Sequence, residues 1–275
     1  MTSLISLSPS SRPWRKAFYT PSVASCVIRL AVLGSAGSAP WARRNLPGFL
    51  VDNILLDCGE GVARALAEVG AIDEVRYVFI THMHGDHVSG LPMLLWYYAL
   101  SGREEELTLV IPRGCRGEVE ALLKSIHSPM DRIERFLEIR ELDGGGSLGP
   151  VTAAPASHSV PALAYRVATE GGDVCYTGDT APSSEVIKLA EGCRVLIHEA
   201  TMPPGREEEA QALGHSTPLQ AGEVADAAGV EVLVLSHLPY FYFKGEHFIP
   251  TFVDSAKRVF RGKVLVPREP QVLTL

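Results

Sequence analysis

The sequence lacks any apolar run near the roughly 20 residues that a membrane-crossing helix needs, and residues 1–26 contain no uninterrupted apolar stretch typical of a signal peptide. CxxC pairs are also missing. The five cysteines are scattered and odd in number, which is typical of reduced thiols in a cytosolic protein and not of a cysteine-bound metal. We therefore expect a cytoplasmic protein without a membrane partner.

A Pro/Ser-rich linker is absent too, so the sequence shows no boundary between separately folded units. With 275 residues, 46% of them hydrophobic, the chain is long enough to bury a full core. We predict a disordered N-terminal extension over residues 1–26 and one domain over residues 27–275. The net charge of −7 gives no general attraction to a polyanion, so nucleic-acid binding would need a local basic patch.

Short β-rich apolar runs alternate with helical stretches along the chain, which predicts a layered α/β domain with buried strands. Polar residues recur where these predicted strands end. They are Asp57, Thr81, Asp179, Glu199 and His237. Ligands of layered α/β folds gather at such strand ends, so these positions are candidates for one site.

The segment "THMHGDH" places several metal-ligand side chains at one strand end. His82 and His84 are two residues apart, and the period of an extended chain points both imidazoles to the same side. Gly85 would permit a sharp turn that returns Asp86 and His87 to the first pair. The segment therefore predicts ligands for two adjacent metal ions, because a polar loop with incidental histidines explains this spacing poorly.

Three further candidates come from elsewhere: His158 after a short extended run, Asp179 in "YTGDT" and His237 in "LVLSHL". Each alone would more often be a turn or capping residue. Together they complete a set suited to two divalent ions about 3.5–4 Å apart. The set consists of His82, His84, Asp86, His87, His158, Asp179 and His237.

The segment "GHSTPLQ" predicts a helix start, with Thr217 as N-cap, Pro218 at the first position and Gln220 at the third. His215 would then lie just before the helix, where backbone N–H groups favour a phosphate. Such a histidine can donate a proton to a leaving alkoxide, and Glu199 could orient it and hold it protonated. Taken alone, the segment fits an ordinary capping loop better than a catalytic one.

The HxHxDH run, followed by a lone histidine, a "GD" aspartate and a late "SH" histidine, resembles the metallo-β-lactamase superfamily. The resemblance begins near residue 27 and implies an αββα sandwich with a dinuclear metal site at one edge. Further segments, above all "HEAT" and "GHST", resemble the ribonuclease Z branch, whose members trim the 3′ trailers of precursor tRNA. "LLDCGEG", "YTGDT" and "LVLSHL" are similar to that branch as well.

The resemblance assigns roles to individual residues. It implies that His82, His84 and His158 bind one zinc, that Asp86, His87 and His237 bind the other, and that Asp179 bridges them; manganese or iron are alternatives to zinc. It also implies catalytic roles for Asp86, His215 and Glu199. Asp57 and His198 would stand behind the ligands, although Asp57 equally suits a helix N-cap.

Two departures from the branch bear on the substrate. Only 20 residues separate His158 from Asp179, and they predict two strands joined by the turn "EGGD", where tRNA-processing members insert a long tRNA-gripping arm. The segment "PWARRN" resembles the PxKxRN loop of the branch but has Ala42 in place of its lysine. Arg44, Asn45 and Ser216 are predicted substrate contacts; a solvated loop is the alternative for the first two.

Three functions are compatible with these residues. The first is a two-zinc phosphodiesterase that removes tRNA 3′ trailers, with precursor tRNA as its partner. The second is a hydrolase of a small substrate on the same fold, namely a cyclic or small phosphodiester, a lactone, a sulfate ester or a thioester. The third is metal binding without catalysis, which a complete ligand set with an acid and its orienting carboxylate disfavours. The branch also suggests a homodimer.

Overall fold

The computed structural model describes residues 27–275, so the predicted extension over residues 1–26 lies outside the described part of the chain. Two seven-stranded sheets pack face to face, and helices cover the outer face of each sheet. This αββα sandwich confirms the predicted fold class. No helix formed by residues 27–275 has both the length and the apolar character needed to cross a membrane.

The first sheet has the strand order β14-β1-β2-β3-β4-β5-β6 and is built mainly by the N-terminal half of the chain. In chain order the elements are β1 (Arg29–Gly34), β2 (Gly48–Val51), β3 (Ile54–Leu56), α1 (Val62–Val69), a 3₁₀ turn (Ile72–Glu74), β4 (Tyr77–Phe79), α2 (Gly85–Val88), α3 (Leu91–Ser101), β5 (Leu107–Pro112), α4 (Arg116–Ser125), α5 (Met130–Ile133) and β6 (Leu137–Leu142).

The second sheet has the strand order β13-β12-β11-β10-β9-β8-β7. The remaining elements are β7 (Ser147–Leu148), β8 (Val151–Pro155), β9 (Leu163–Val167), β10 (Val174–Tyr176), α6 (Ser184–Ala190), β11 (Val195–Glu199), α7 (Glu207–Ala212), α8 (Pro218–Ala228), β12 (Val232–Ser236), α9 (Tyr240–Phe243), α10 (Ile249–Lys257), β13 (Lys263–Leu265) and β14 (Gln271–Thr274), the last of which crosses to the first sheet.

Three apolar layers hold these elements together, and the sequence period decides which layer each side chain enters. Along β1, Leu30 and Val32 lie in the layer between the sheets, whereas Ala31 and Leu33 face the helices of the first sheet. This alternation is expected of a strand that is buried on both faces. Helices such as α1 and α10 present an apolar stripe to the sheet, and burial of that stripe stabilises them.

Parallel strands in both sheets bring their C-terminal ends to one edge of the sandwich. β3, β4, β5 and β6 run parallel in the first sheet, and β10, β11, β12 and β13 run parallel in the second. The segment between His158 and Asp179 forms only the β9–β10 hairpin, whose turn is closed by a bond from the Gly172 amide to the Thr169 carbonyl. The predicted absence of a long arm is thus confirmed.

Candidate metal centre

The "THMHGDH" segment leaves the sheet after β4 and starts a helix at once. His84 is the N-cap of α2, with an extended backbone, and α2 itself carries Asp86 and His87. Gly85 has no positive φ and open space where a Cβ would lie, so the predicted need for a glycine turn is wrong. The helix start, and not a glycine conformation, returns the chain toward the first two histidines.

The first ligand group joins His82 and His84 to residues of the second sheet. The Nδ1 atom of His84 lies 3.1 Å from Nε2 of His82 and 3.2 Å from Nε2 of His158. Asp179 Oδ2 lies 3.8 Å from His82 Nε2 and 3.9 Å from His158 Nε2. These four ligand atoms are all within 4.8 Å of one another, which suits a shared cation.

The second group lies directly beside the first. Asp86 Oδ2 is 2.9 Å from His237 Nε2 and 3.6 Å from His87 Nε2. The carboxylate of Asp179 reaches this group too, with Oδ1 3.3 Å from His87 Nε2 and Oδ2 3.3 Å from His237 Nε2. Asp179 is therefore the side chain that contacts both groups.

Hydrogen bonds behind the imidazoles fix which nitrogen faces the centre. The Nδ1 atoms of His82, His87, His158 and His237 contact Thr81 Oγ1 (3.0 Å), Asp57 Oδ2 (2.7 Å), Gly214 O (2.9 Å) and Thr201 Oγ1 (2.7 Å), respectively. Since the carboxylate and the carbonyl can only accept, we assign the proton to Nδ1, which leaves Nε2 as the ligand atom. Thr81 and Thr201 donate their own protons to Asp57 and Glu199, so each must accept from its histidine.

The unpaired atoms and charges of this cluster fit divalent cations. His87 Nε2 and Asp179 Oδ1 are buried without a hydrogen-bond partner in residues 27–275, although buried polar atoms are rarely left unpaired. Burial alone would raise the pKa of Asp86 and Asp179, but the neighbouring histidines hold both well below their usual range. Burial lowers the pKa of His82 to about 2, which keeps that imidazole neutral. Burial alone would also lower the pKa of His87, but the charges of Asp179 and Asp57 raise it well above its usual value, so a cation at Nε2 of His87 would displace a proton. Neutral imidazoles and ionised carboxylates are the ligands that such cations need.

Asp57 lies at the back of the centre. Its carboxylate accepts bonds from the backbone amide (2.7 Å) and hydroxyl (2.9 Å) of Thr81, from His87 Nδ1 (2.7 Å) and from the Tyr176 hydroxyl (2.7 Å). The alternative role as a helix N-cap is wrong, because the N-cap of α1 is Gly61. Asp57 instead holds the ring of His87 in place, as carboxylates behind metal-binding histidines do.

Glu199 and His215 form a pair next to the two ligand groups. Glu199 Oε1 accepts from the Thr180 amide (2.7 Å) and from His215 Nδ1 (2.9 Å), and Oε2 accepts from the Ser216 amide (3.0 Å). Burial by itself would lower the pKa of His215, but the hydrogen bond and charge of Glu199 outweigh it and raise that pKa to about 9. His215 is thus held protonated, 3.9 Å from Asp179 Oδ2.

The residues predicted to contact substrate are all committed to internal bonds. Arg44 is buried, and its guanidinium pairs with Glu246 (2.9 Å) and Glu269 (3.3 Å), so it is not available to a ligand. The Asn45 side chain donates to the Leu33 carbonyl (2.7 Å). These observations replace the predicted substrate contacts with a structural role: the two residues fix the loop that precedes β2.

Two other expectations need correction. Ser216 is buried and donates its hydroxyl to the Thr180 carbonyl (2.7 Å), so it cannot contact a substrate. The amides at the start of α8 are taken by Glu199 and by the predicted capping box of Thr217, which leaves little for a phosphate. His198 lies on the opposite face of β11 from Glu199, because neighbours in a strand point to opposite sides. Its Nδ1 bonds to the Glu199 carbonyl (2.8 Å), not to a ligand.

Two threonines support the ligands: the sequence placed Thr81 among the strand-end candidates without giving it a role, and it did not single out Thr201. Thr81 and Thr201 each follow a strand end and each join a histidine to a buried carboxylate. The available signal was the position of each threonine: Thr81 directly precedes His82 in "THMHGDH", and Thr201 follows Glu199 by two residues in "HEAT". The hydroxyl of Thr201 matters most, because it links His237 of the ligand cluster to Glu199 of the acid pair.

We expect Thr201→Val to lower metal affinity or turnover by about 10- to 100-fold, the usual effect of losing a bond behind a metal ligand. Valine keeps the shape but removes the acceptor of the His237 proton and a donor to Glu199. Metal titration and steady-state rates measure the effect. Thr201→Ser keeps the hydroxyl and should restore both quantities; an unchanged valine variant would contradict the role.

The fold and the His/Asp cluster together define a metal-dependent hydrolase of the β-lactamase superfamily, and comparison with known proteins agrees. Residues 52–238 match the β-lactamase superfamily domain. Ribonuclease Z of Methanothermobacter thermautotrophicus is 33% identical over 294 aligned residues, which cover 85% of this chain and 92% of that protein. The aligned 85% of this chain is about 234 of its 275 residues, so about 60 of the 294 aligned positions have no counterpart here.

Solved structures share the fold at lower identity. The metallo-β-lactamase fold protein YhfI from Bacillus subtilis has a TM-score of 0.77 at 24% identity, covering 90% of this chain and all of that one. The short form of human tRNase Z has a TM-score of 0.71 at 22% identity, covering 89% and 98%. The chain therefore belongs to the ribonuclease Z family of the β-lactamase superfamily and is a metal-dependent hydrolase of phosphodiester bonds.

Proposed function

We propose that this enzyme uses two zinc ions to cut precursor tRNA endonucleolytically and remove the 3′ trailer. The observation that carries the proposal is the Glu199–His215 pair next to Asp179. A leaving ribose oxygen is a strong base, so it needs a proton donor that stays charged at neutral pH. His215 meets that requirement because Glu199 raises its pKa to about 9 against the effect of burial.

In the proposed in-line hydrolysis, each side chain has a separate chemical role. Two bound zinc ions would activate water and offset the negative charge that develops on the phosphoryl oxygens. His215 uses Nδ1 to bond Glu199, so Nε2 is the atom from which it would protonate the leaving oxygen. Asp86 bonds His237 and the Ser38 amide through Oδ2 and remains partly exposed, which leaves Oδ1 to accept the proton of the attacking water.

A second candidate follows from the short β9–β10 hairpin. Without an arm at this position, the enzyme has less surface with which to hold a folded tRNA, and its net charge of −7 adds no general attraction. The alternative is therefore a small or cyclic phosphodiester at the same centre. Manganese and iron are the alternatives to zinc, because both accept histidine and carboxylate ligands.

The predicted homodimer and cytoplasmic location are part of the same proposal. Met93, Tyr97 and Leu100 are exposed on α3 at spacings of four and three residues, so they share one face of that helix. An apolar stripe of this kind is suited to a second copy of the chain. Light scattering of the purified protein measures the assembly directly.

Cleavage of a 3′-extended precursor tRNA tests the proposed activity. We expect zinc-loaded protein to cut next to the discriminator nucleotide and to leave a 3′-hydroxyl on the upstream product. Sequencing gels map the cut, and parallel reactions contain manganese, iron or chelator. His82→Ala removes a ligand of the first group and should abolish the cut.

The matched control is His127→Asn, which changes an exposed histidine whose positive φ asparagine tolerates. It should leave the rate unchanged. Bis(4-nitrophenyl) phosphate serves as a small diester in the same reactions. If the wild-type protein hydrolyses this diester and leaves the tRNA intact, tRNA is not the substrate and the small phosphodiester reading replaces it.

A further inference from the structure

Three aromatic side chains are exposed within residues 27–275, and two of them are adjacent, immediately after a metal-ligand candidate. Phe241 is 40% exposed and Tyr242 is 65% exposed, whereas Tyr97 lies on α3. We call Phe241 and Tyr242 the aromatic ledge. Single exposed apolar residues are ordinary, but two exposed aromatic residues next to each other in the chain and close in sequence to a candidate catalytic centre indicate an interaction site.

The ledge cannot be far from the metal centre. Phe241 and Tyr242 follow His237 by four and five residues, so even a fully extended chain would place their α-carbons within about 14 and 18 Å of it. The chain is not extended here, because α9 folds back and its Phe243 amide bonds the Pro239 carbonyl (3.2 Å). At roughly 3.4 Å per stacked nucleotide, these limits place the ledge within about four to five nucleotides of a phosphate held at the centre.

Packing below the ledge makes it rigid. Tyr240 and Phe243 lie on the inward face of α9, and both rings pack on Phe248, with centroid distances of 5.3 and 4.7 Å. Since residues three apart share one face of a helix, the two between them must point outward. Phe241 and Tyr242 are therefore exposed on a fixed support and do not need to reorganise when they bind a flat ring.

The loop that precedes β2 lies against the same edge and adds positive charge. The guanidinium of Arg44 lies 4.6 Å from the centre of the Tyr240 ring and ties this loop to α9 through Glu246. Arg43 is at the exposed tip of a turn that the Arg44 amide closes on the Trp41 carbonyl (2.9 Å). Lys244, directly after α9, is exposed too.

The same loop also borders the metal centre. A Cβ at Gly37 would lie 2.3 Å from Nδ1 of His237, and the Ser38 amide bonds Asp86 Oδ2 (2.8 Å). The loop therefore contacts both the ligand cluster and Tyr240 of α9, the helix that carries the ledge. Rings and cations that line a path to a phosphodiester-cleaving site form the arrangement that proteins use for single-stranded nucleic acid.

We infer that the aromatic ledge stacks against an unpaired nucleobase of a single-stranded RNA end, while the phosphodiester next to it occupies the metal centre. Arg43 and Lys244 attract the flanking phosphates. The inference rests on the proposed RNA cleavage and specifies its substrate: the enzyme recognises the unpaired 3′ segment locally, at the site of cleavage. Such recognition needs no distant arm.

Removing the ring tests the stacking. Stacking of one base on an aromatic side chain corresponds to about a 5- to 150-fold change on alanine substitution. We expect Tyr242→Ala and Phe241→Ala to lower kcat/KM for the 3′-extended precursor within that range, with Tyr242→Phe retaining the wild-type value. Ile126→Ala is the control, because that side chain is also exposed and apolar and lies between α4 and β6, where the chain leads into the N-terminal end of a parallel strand, away from the centre.

A nucleotide-by-nucleotide substitution separates stacking from a structural effect. In this experiment, wild-type and Tyr242→Ala protein cleave a set of precursors, each with one abasic residue at a position between the discriminator and about the fifth trailer nucleotide, the farthest that the distance limit allows. At the stacked position, removing the base should slow cleavage by the wild-type enzyme by the same factor as Tyr242→Ala slows cleavage of the intact RNA. Removing that base should not slow the Tyr242→Ala enzyme any further. Methyl 4-nitrophenyl phosphate is too small to span the centre and the ledge, and all variants should hydrolyse it at the wild-type rate.

The outcomes distinguish the two proposals. If the wild-type enzyme cleaves the precursor and both alanine variants match it, the ledge does not bind a base, while the proposed function stands. Equal losses on RNA and on methyl 4-nitrophenyl phosphate would also overturn the inference, because the substitution would then have damaged the centre. If the wild-type enzyme neither binds nor cleaves the precursor, both proposals are wrong. Ledge-dependent binding without cleavage would uphold stacking and refute the cleavage.

Discussion

Asp179→Ala should lower kcat/KM for phosphodiester cleavage by at least about 1,000-fold. Two-metal catalysis contributes several kcal/mol to transition-state stabilisation, and each 1.4 kcal/mol is a factor of ten in rate. Asp179 is the side chain that contacts both ligand groups, with its oxygens 3.3 Å from nitrogens of His87 and His237. Its loss should therefore disturb both cations together, and elemental analysis should find fewer than two bound ions per chain.

Two further substitutions show what Asp179 contributes. Asp179→Asn keeps the size of the side chain and removes its charge, so it should resemble the alanine variant if charge on both groups is what matters. Asp143→Ala removes an exposed carboxylate that pairs with Arg113, and it should change neither rate nor metal content. A full complement of metal and a wild-type rate in Asp179→Ala would refute the shared role of this residue.

His215→Ala should lower turnover of the RNA substrate by about 100- to 10,000-fold, the usual contribution of a positioned proton donor. Both cations should remain, because His215 belongs to neither ligand group. Metal content therefore distinguishes this variant from substitutions of the ligands. The loss should be far smaller with bis(4-nitrophenyl) phosphate, whose nitrophenolate leaves without protonation. Equal losses on both substrates would contradict the role of His215 as the acid.

The pH dependence of the cleavage rate also tests the role of His215 as the acid. The protonated form of His215 is the active one, and Glu199 raises its pKa to about 9 although burial alone would lower it. The rate should therefore be sustained at neutral pH and fall as pH rises through about 9. Glu199→Gln removes the negative charge that holds the proton, so the fall should move to lower pH, toward the ordinary value of 6.5. A fall at the same pH in both proteins would assign it to another group.

The sequence predicts which side chains converge in the candidate metal centre, because these residues follow a simple topological rule. Each lies just after a strand, and the parallel strands of both sheets end at one edge, so residues far apart in the chain must converge. His158 and His237 illustrate this: neither has a local motif that is specific by itself, yet both reach the cluster. The fold class followed from the same alternation of strands and helices.

The roles of residues around the centre were harder to predict, because they depend on partners distant in sequence. Arg43 and Arg44 are adjacent and of the same type, but only Arg44 is buried, because it pairs with the carboxylates of Glu246 and Glu269. These partners lie more than 200 positions away in the sequence, so the pairing could not be predicted locally. Ser216 was equally ambiguous, because its hydroxyl bonds a carbonyl 36 positions away. No local pattern encodes such pairings.

The supply of ligands from both sheets has a consequence for the lifetime of the protein in a cell. The first sheet provides His82, His84, Asp86 and His87, and the second provides His158, Asp179 and His237, so the cations fasten the two halves of the sandwich at one edge. A copy without cations has ionised carboxylates and imidazoles facing one another there, and this edge is where the halves should separate first and admit proteases. Metal starvation would then reduce the number of enzyme molecules as well as the activity of each, and growth on a limiting supply of the divalent metal would deplete the protein even at constant synthesis.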